Sequence, residues 1–168
     1  MRNMTSYLKL FLRRHQLVTN LRHWILAGLG GAIGIGITGG LSVATGMPLL
    51  IAPFGASCVL LFSVPGSPLS QPANVIGGHM VSSIAGLIIS LLFPGLWWAT
   101  ALAVGLAISA MAALRVTHPP AGADPVVISA ELPGIAFLLM PVFVGALLLV
   151  VTAQIFHKLS GTQYPIPD

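Results

Sequence analysis

Thr117-His118-Pro119-Pro120-Ala121-Gly122-Ala123-Asp124-Pro125 (THPPAGADP) lies between two long apolar segments, with Arg115 two residues upstream. A stretch so polar and proline-dense reads as a surface loop, yet its surroundings are not those of a water-soluble chain. The sequence is 56% hydrophobic and 6% charged, against roughly 25% charged in an average soluble domain. No Asp, Glu, Lys or Arg occurs between Arg22 and Arg115, enough chain for several bilayer crossings at about 20 residues each. The chain therefore reads as an all-α integral membrane protein, and the stretch as a break inside it.

Five of the seven basic residues, Arg2, Lys9, Arg13, Arg14 and Arg22, precede the first apolar segment with no acidic residue among them. The net charge of +4 thus reports orientation and puts the N-terminus in the cytoplasm. It does not suggest nucleic acid, because no basic or aromatic face remains to follow a phosphate backbone. Cys58 stands alone, which excludes an internal disulfide framework. Within residues 1–23, Leu8, Phe11, Leu12, Leu17, Val18 and Leu21 alternate with Lys9, Arg13, Gln16 and Asn20 over 5–22. That pattern predicts an amphipathic helix lying on the inner leaflet. The recurring charges argue against a cleaved signal peptide. Residues 157–168 read as a short cytoplasmic tail, and the whole as a multi-pass protein of the cell membrane with both termini inside.

Between these ends, 24–156 contains four segments long enough to cross, about 24–43, 75–93, 96–115 and 134–156. Two shorter ones remain, 48–63 and 118–131. Each carries a proline followed two residues later by Gly-Ala, as Pro53-Phe54-Gly55-Ala56-Ser57 and Pro120-Ala121-Gly122-Ala123-Asp124, 67 residues apart. The same offset maps Gly28, Ala32, Gly36 and Gly40 onto Gly95, Ala99, Ala103 and Ala107, and Gly78 onto Gly145. This predicts two internal repeats, about 24–93 and 95–156, whose small-residue stripes let helices approach closely. The expected architecture is four long transmembrane helices plus two short proline-broken half-helices. Proline suits the first turn of a helix and restrains the residue before it away from the α region. Broken backbone at membrane depth is tolerated only inside protein or along a cavity, and paired breaks point to a transporter site. As a helix 48–63 would reach about 24 Å, short of the roughly 30 Å core. Length alone leaves open whether the short elements cross or re-enter.

Ionisable residues within the apolar part are few: His79, Arg115, His118, Asp124 and Glu131. Such groups are costly in lipid and are functional candidates by default. Arg115 and His118 adjoin the second half-helix, where a cation, an imidazole and backbone N–H groups suit a small anion. Asp124 could pair with Arg115, which would reduce the positive potential left for a ligand. Glu131 belongs at the surface.

THPPAGADP, together with APFGASCVLLF (52–62) and SPLSQPANVIGGH (67–79), resembles the HPP family of small integral membrane proteins over about residues 24–156. The resemblance implies four membrane-spanning helices and, from cyanobacterial and chloroplast members, nitrite transport. It marks His118, Pro119, Pro120, Gly122, Pro53, Gly55, Ser57, Gln71, Asn74, Gly78 and His79 as family-motif positions. Members commonly carry a basic residue where this chain has Ala73, and many carry CBS regulatory domains, which are not expected here. The expected substrate-binding set is Arg115, His118, Gly122, Asp124, Gly55, Ser57, His79 and Asn74, with Pro53, Pro119 and Pro120 shaping the breaks. The expected partners are nitrite as the small anion, membrane lipids and further copies of the chain in a homo-oligomer; no cofactor, metal or catalytic residue is expected. Three rivals remain: an intramembrane enzyme using Ser57 with His79 or His118, a metal-ion carrier using His79, His118 and Asp124, and a non-transporting scaffold.

Overall fold

The computed structural model describes residues 4–16 and 18–167, and among them every regular element is helical. Helix α1 spans Met4–Phe11. The amphipathic helix expected over 5–22 therefore stops early: residues 13–16 and 18–20 are not helical, Leu21 and Arg22 open the next helix, and Arg2, Leu17 and Asp168 lie outside the described residues. The cause is local. Asn20 takes an extended conformation, and its side chain accepts a 3.0 Å hydrogen bond from the His23 amide, an N-cap that starts a new helix and separates it from α1.

That helix, α2 (Leu21–Thr45), is followed by α3 (Pro53–Ser63), α4 (Pro72–Leu92), α5 (Trp97–Ala113), α6 (Asp124–Glu131) and α7 (Val144–Ser160). Gly46 and Gly161, at φ 68° and 73°, end α2 and α7 in the left-handed conformation that glycine adopts without penalty. Pro53 and Pro72 open α3 and α4, as their missing N–H permits. Among the described residues, three apolar helical stretches are long enough to cross a membrane, Leu21–Thr45, Pro72–Leu92 and Ile135–Ser160. The expectation of four long helices is met by three, because α5 has 17 residues and reaches about 25 Å. The third stretch is irregular at its start: a 3₁₀ turn over Ile135–Leu138 and a π turn over Leu139–Phe143 precede α7, with Met140 non-helical. Pro141 disfavours the α conformation at Met140, which is extended at φ −133° and ψ 121°.

Both short segments are interrupted as expected. Backbone without helical bonding leads from Gly46 to the 11-residue α3, and a 3₁₀ turn over Pro119–Ala123 leads into the 8-residue α6. Their ends decide their path. Pro65, just past α3, lines one cavity with Asn20, Arg22 and Ser160 at the first end of the bundle. Ser129 and Leu132, at the end of α6, line another with Phe93 and Trp97 at the opposite end. Thr117, before the 3₁₀ turn, is back at the first end, where its carbonyl accepts from Asn74 near the start of α4. Each short element thus runs through the bundle rather than turning back.

Phe54, Leu61, Val75, Ile128, Val142 and Leu149 form the fully buried centre, where α3, α4, α6 and α7 meet. In α5 the small stripe Ala99, Ala103 and Ala107 is buried as expected, while Gly95 precedes the helix at φ 73° and is exposed. In α2 the expected stripe is not the packed one. Gly30, Gly34 and Thr38 are buried, and Gly28, Ala32, Gly36 and Gly40 face outward. Glycines occupy several faces of α2, so a four-residue spacing alone cannot select the face that receives Phe62 and Leu149. The 67-residue offset returns in contacts: Gly78 packs against the Val116 carbonyl, and Gly145 against the carbonyl of Leu49.

Candidate functional site

Four side chains with no exposed surface, Ser57, His79, His118 and Asp124, meet inside the bundle. Ser57 lies one turn into α3, His79 about two turns into α4, His118 immediately before the 3₁₀ turn, and Asp124 at the start of α6. The Ser57 hydroxyl lies 2.9 Å from Nε2 of His79 and 2.9 Å from Nε2 of His118. His79 Nδ1 lies 2.9 and 3.1 Å from the two Asp124 carboxyl oxygens. Ser83 donates to Asp124 Oδ2 at 3.1 Å, and His118 Nδ1 donates to the Leu69 carbonyl at 2.8 Å. A continuous line of polar atoms therefore runs from the loop before α4 inward to Ser83.

The number of protons in this line follows from its bonds. A carbonyl can only accept, so His118 Nδ1 carries a proton, and the neutral ring would offer a bare Nε2 to Ser57. Ser57 has one hydroxyl proton for two imidazole nitrogens. Satisfying both contacts, and the one between His79 and Asp124, requires one proton more than two neutral imidazoles, a serine and a carboxylate supply. With that proton the cluster is neutral, as a His79–Asp124 ion pair or as its uncharged equivalent. Without it, one contact sets two lone pairs against each other and a net negative charge is left where burial is expensive. A weaker 3.4 Å contact from the hydroxyl to the Pro53 carbonyl gives Ser57 another direction. When the hydroxyl turns there, both imidazoles can donate to it, and the cluster holds a further proton and a net positive charge.

The sequence-expected residues divide sharply. His79, His118, Ser57 and Asp124 are brought together. Arg115 is not: it is exposed in a left-handed conformation at φ 60°, and Asp124 pairs with His79 instead. The reason is geometric, since the 3₁₀ turn carries Asp124 into the bundle while Arg115 stays at the end of α5. Gly55 is exposed and Gly122 half-buried, each with open space where a side chain would stand, so neither forms the site. Asn74 supports it from outside by holding the Thr117 carbonyl at 3.0 Å. Pro119 and Pro120 open the 3₁₀ turn; the Ala121 amide donates to His118 O and the Asp124 amide to Ala121 O. To the centre the break contributes the buried side chains of His118 and Asp124. Glu131 is exposed at the end of α6. Ser83, and Ser82, whose hydroxyl donates to the Ala121 carbonyl at 2.6 Å, were not anticipated. Their signal was present, because both lie one helical turn beyond His79 on α4. All four ring nitrogens of His79 and His118 have partners, and no group of three metal-ligating side chains is assembled among the described residues.

The model of the transmembrane region of HPP proteins matches residues 16–165. The chain belongs to the HPP family. Two transmembrane proteins of Dictyostelium discoideum are similar to it, one 36% identical over 129 residues and the other 40% identical over 126. These matches take in 71% and 70% of this chain but only 45% and 40% of the relatives, so the HPP chain corresponds to less than half of either. No solved structure matches it significantly. The buried network draws on the three stretches that carried the resemblance: Ser57 from 52–62, His79 from 67–79, and His118 and Asp124 from 117–125.

Proposed function

We propose that this HPP protein is a membrane transporter that moves a small anion together with a proton, nitrite being the substrate the family resemblance suggests. One observation carries the reading: a single buried hydroxyl bridges two imidazoles, so the network holds a proton and has room for another. With Arg115 outside, the positive charge an anion needs in this interior has to arrive as a proton. Loading the second proton on the Ser57-bridged pair makes the cluster cationic and favours the anion. Departure of the anion returns the cluster to neutrality and releases the proton.

The architecture supports the same reading. Six passes, four by longer helices and two by broken ones, form two three-pass halves related by inversion, the arrangement in which broken helices build a central site. Both termini are then on one side, assigned to the cytoplasm by the basic N-terminal segment. The outward small-residue stripe of α2 suits contact with further copies in a homo-oligomer in the cell membrane.

The test is nitrite entry into proteoliposomes containing a nitrite-sensitive dye, with an inwardly directed proton gradient and empty liposomes as baseline. Ser57→Ala is expected to reduce gradient-driven uptake by about tenfold or more, the equivalent of one lost charge-assisted hydrogen bond. Arg115→Gln is expected to stay within about twofold of the native protein, as for an exposed charge. No uptake above baseline by folded native protein, or uptake indifferent to Ser57→Ala, would sink the proposal.

A second reading is favoured by one feature, the order Ser57 Oγ, His79 Nε2, His79 Nδ1, Asp124, which is that of an activated nucleophile with its base and orienting acid. It lacks donors for an oxyanion and access to the hydroxyl. Labelling of Ser57 by a fluorophosphonate, abolished in His79→Ala, would favour this reading over transport.

A further inference from the structure

The two cavities at the ends of the bundle, of about 210 and 220 Å³, are built from corresponding positions. His157, Ser160 and Thr162 line the first where Ser90, Phe93 and Gly95, each 67 residues earlier, line the second. The fold provides the same hollow twice, but only one copy is equipped for charge. The second has no ionisable residue in its lining, whereas the first has Arg22, His23 and His157 and no acidic residue.

Within the charged cavity, two groups have bonding capacity to spare. Arg22 spends one of its five N–H donors on the Ser160 carbonyl at 2.8 Å. His157, 3% exposed, has Nε2 2.8 Å from the Leu61 carbonyl. That carbonyl lacks its usual helical partner because position 65 is proline. Donation to it fixes the proton on Nε2, and Nδ1 is left buried with no partner. Phe62, Phe156 and Tyr164 hold the ring, with centroids 5.4 to 5.9 Å away. Tyr164 itself is anchored by donating to the Ser70 carbonyl at 3.0 Å, and burial pushes its phenol above the ordinary range, so it remains a donor. An unpartnered imidazole nitrogen is not what packing requires of this position, since Ser90 occupies the corresponding place at the other end.

We infer that the cavity formed by Arg22, His23, His157, Ser160 and Thr162 binds a phosphate monoester or inorganic phosphate. Its charged oxygens answer the guanidinium, and its P–OH supplies the donor that His157 Nδ1 lacks. Near neutral pH a fraction of a phosphate monoester still carries such a proton, its second pKa being about 6, whereas sulfate and phosphodiesters carry none. The volume is below the roughly 300 Å³ at which drug-sized pockets begin and suits a group rather than a large ligand. Bound there, it would clamp the start of α2 to the end of α7. The inference is independent of the transport reading.

The source is either free phosphate or the headgroup of a lipid such as phosphatidic acid, and one experiment separates them. The full chain is placed in phosphatidylcholine nanodiscs and its thermal unfolding followed with inorganic phosphate or sulfate in solution. Parallel discs contain phosphatidic acid or, as the diester control, phosphatidylglycerol. A rise in Tm of about 5 °C is expected at saturation with phosphate or with phosphatidic acid, less than half of it with sulfate or phosphatidylglycerol, and loss of the response in Arg22→Gln. A response to free phosphate identifies the soluble source; one confined to phosphatidic acid identifies the lipid. No response of the native protein in any arm, an equal response to sulfate and phosphatidylglycerol, or a response unchanged in Arg22→Gln overturns the inference. His157→Gln is expected to lose the preference for phosphate over sulfate. If that variant fails to fold, Arg22→Gln decides, because Arg22 is exposed and its replacement leaves the interior intact.

Discussion

His79→Leu is expected to destabilise the protein by about 3–5 kcal/mol, the cost of leaving a buried charge without its partner. The imidazole is the only ionic partner of Asp124 among the described residues, and neither side chain has any exposed surface. Without it, the carboxylate retains Ser83 alone. Asp124→Leu is expected to cost less, because the imidazole left behind can become neutral while keeping its contact to Ser57. The double variant His79→Leu/Asp124→Leu is expected to recover much of the loss, since a buried ion pair replaced by apolar side chains is often neutral in stability. Gradient-driven uptake is expected to stay abolished in all three. Unfolding midpoints of the two single variants and the double in detergent give the coupling directly. A double variant as unstable as the sum of the singles would show that the pair does not act as a unit.

That asymmetry between stability and use explains which parts of the molecule were legible from sequence. The breaks at Pro53 and Pro119–Pro120 could be read because proline fixes its own φ and lacks the N–H a continuing helix needs, whatever surrounds it, even though Ala52 before Pro53 keeps an α conformation. The crossings over 75–93 and 134–156 could be read from length and apolarity, though the disturbance at Met140 needed attention to Pro141. The partner of Asp124 could not be read in the same way. Arg115 is nearer in sequence, but its position at the exposed end of α5 and the turn through Pro119–Ala123 separate the two. His79, 45 residues away, is reached only once α4 and α6 pack side by side. The same limit applies to α2, where glycines on several faces gave no preference until Phe62 and Leu149 had chosen one. The offset of 67 residues adds a further point. Ser57 and Asp124 occupy corresponding positions and meet at His79, whereas the counterparts of His79 and His118 are Ala146 and Ile51, both buried in the apolar core. The polar line therefore draws on residues from both 24–93 and 95–156, while its two histidines have no polar counterpart at the 67-residue offset.

Gly78→Ala and Gly145→Ala test that relation between the halves, and each is expected to cost about 2–3 kcal/mol or to prevent folding. A methyl group on Gly78 would stand 2.6 Å from His118 Cβ and 2.9 Å from the Val116 carbonyl oxygen; one on Gly145 would stand 2.6 Å from the Leu49 carbonyl oxygen and run into the ring of Phe54. In both cases the obstacle includes backbone from the other half, which cannot rotate away as a flexible side chain can. The functional effects follow from what lies behind each contact. Displacing His118 draws its Nε2 away from Ser57. Displacing Phe54 disturbs the edge-on contact that its ring makes with His79, centroids 5.1 Å apart. Gly105→Ala, in α5 and away from the outward stripe of α2, is the control: nothing lies within 4 Å of the added carbon, and alanine is the better helix former by about 1 kcal/mol, so the Tm is expected to hold or rise. Thermal unfolding in detergent, with yield of monodisperse protein as the second measure, separates the three variants. If Gly78→Ala and Gly145→Ala both melt with the native protein, the two segments do not meet through these glycines, and the proposed inverted relation between them would have to be abandoned.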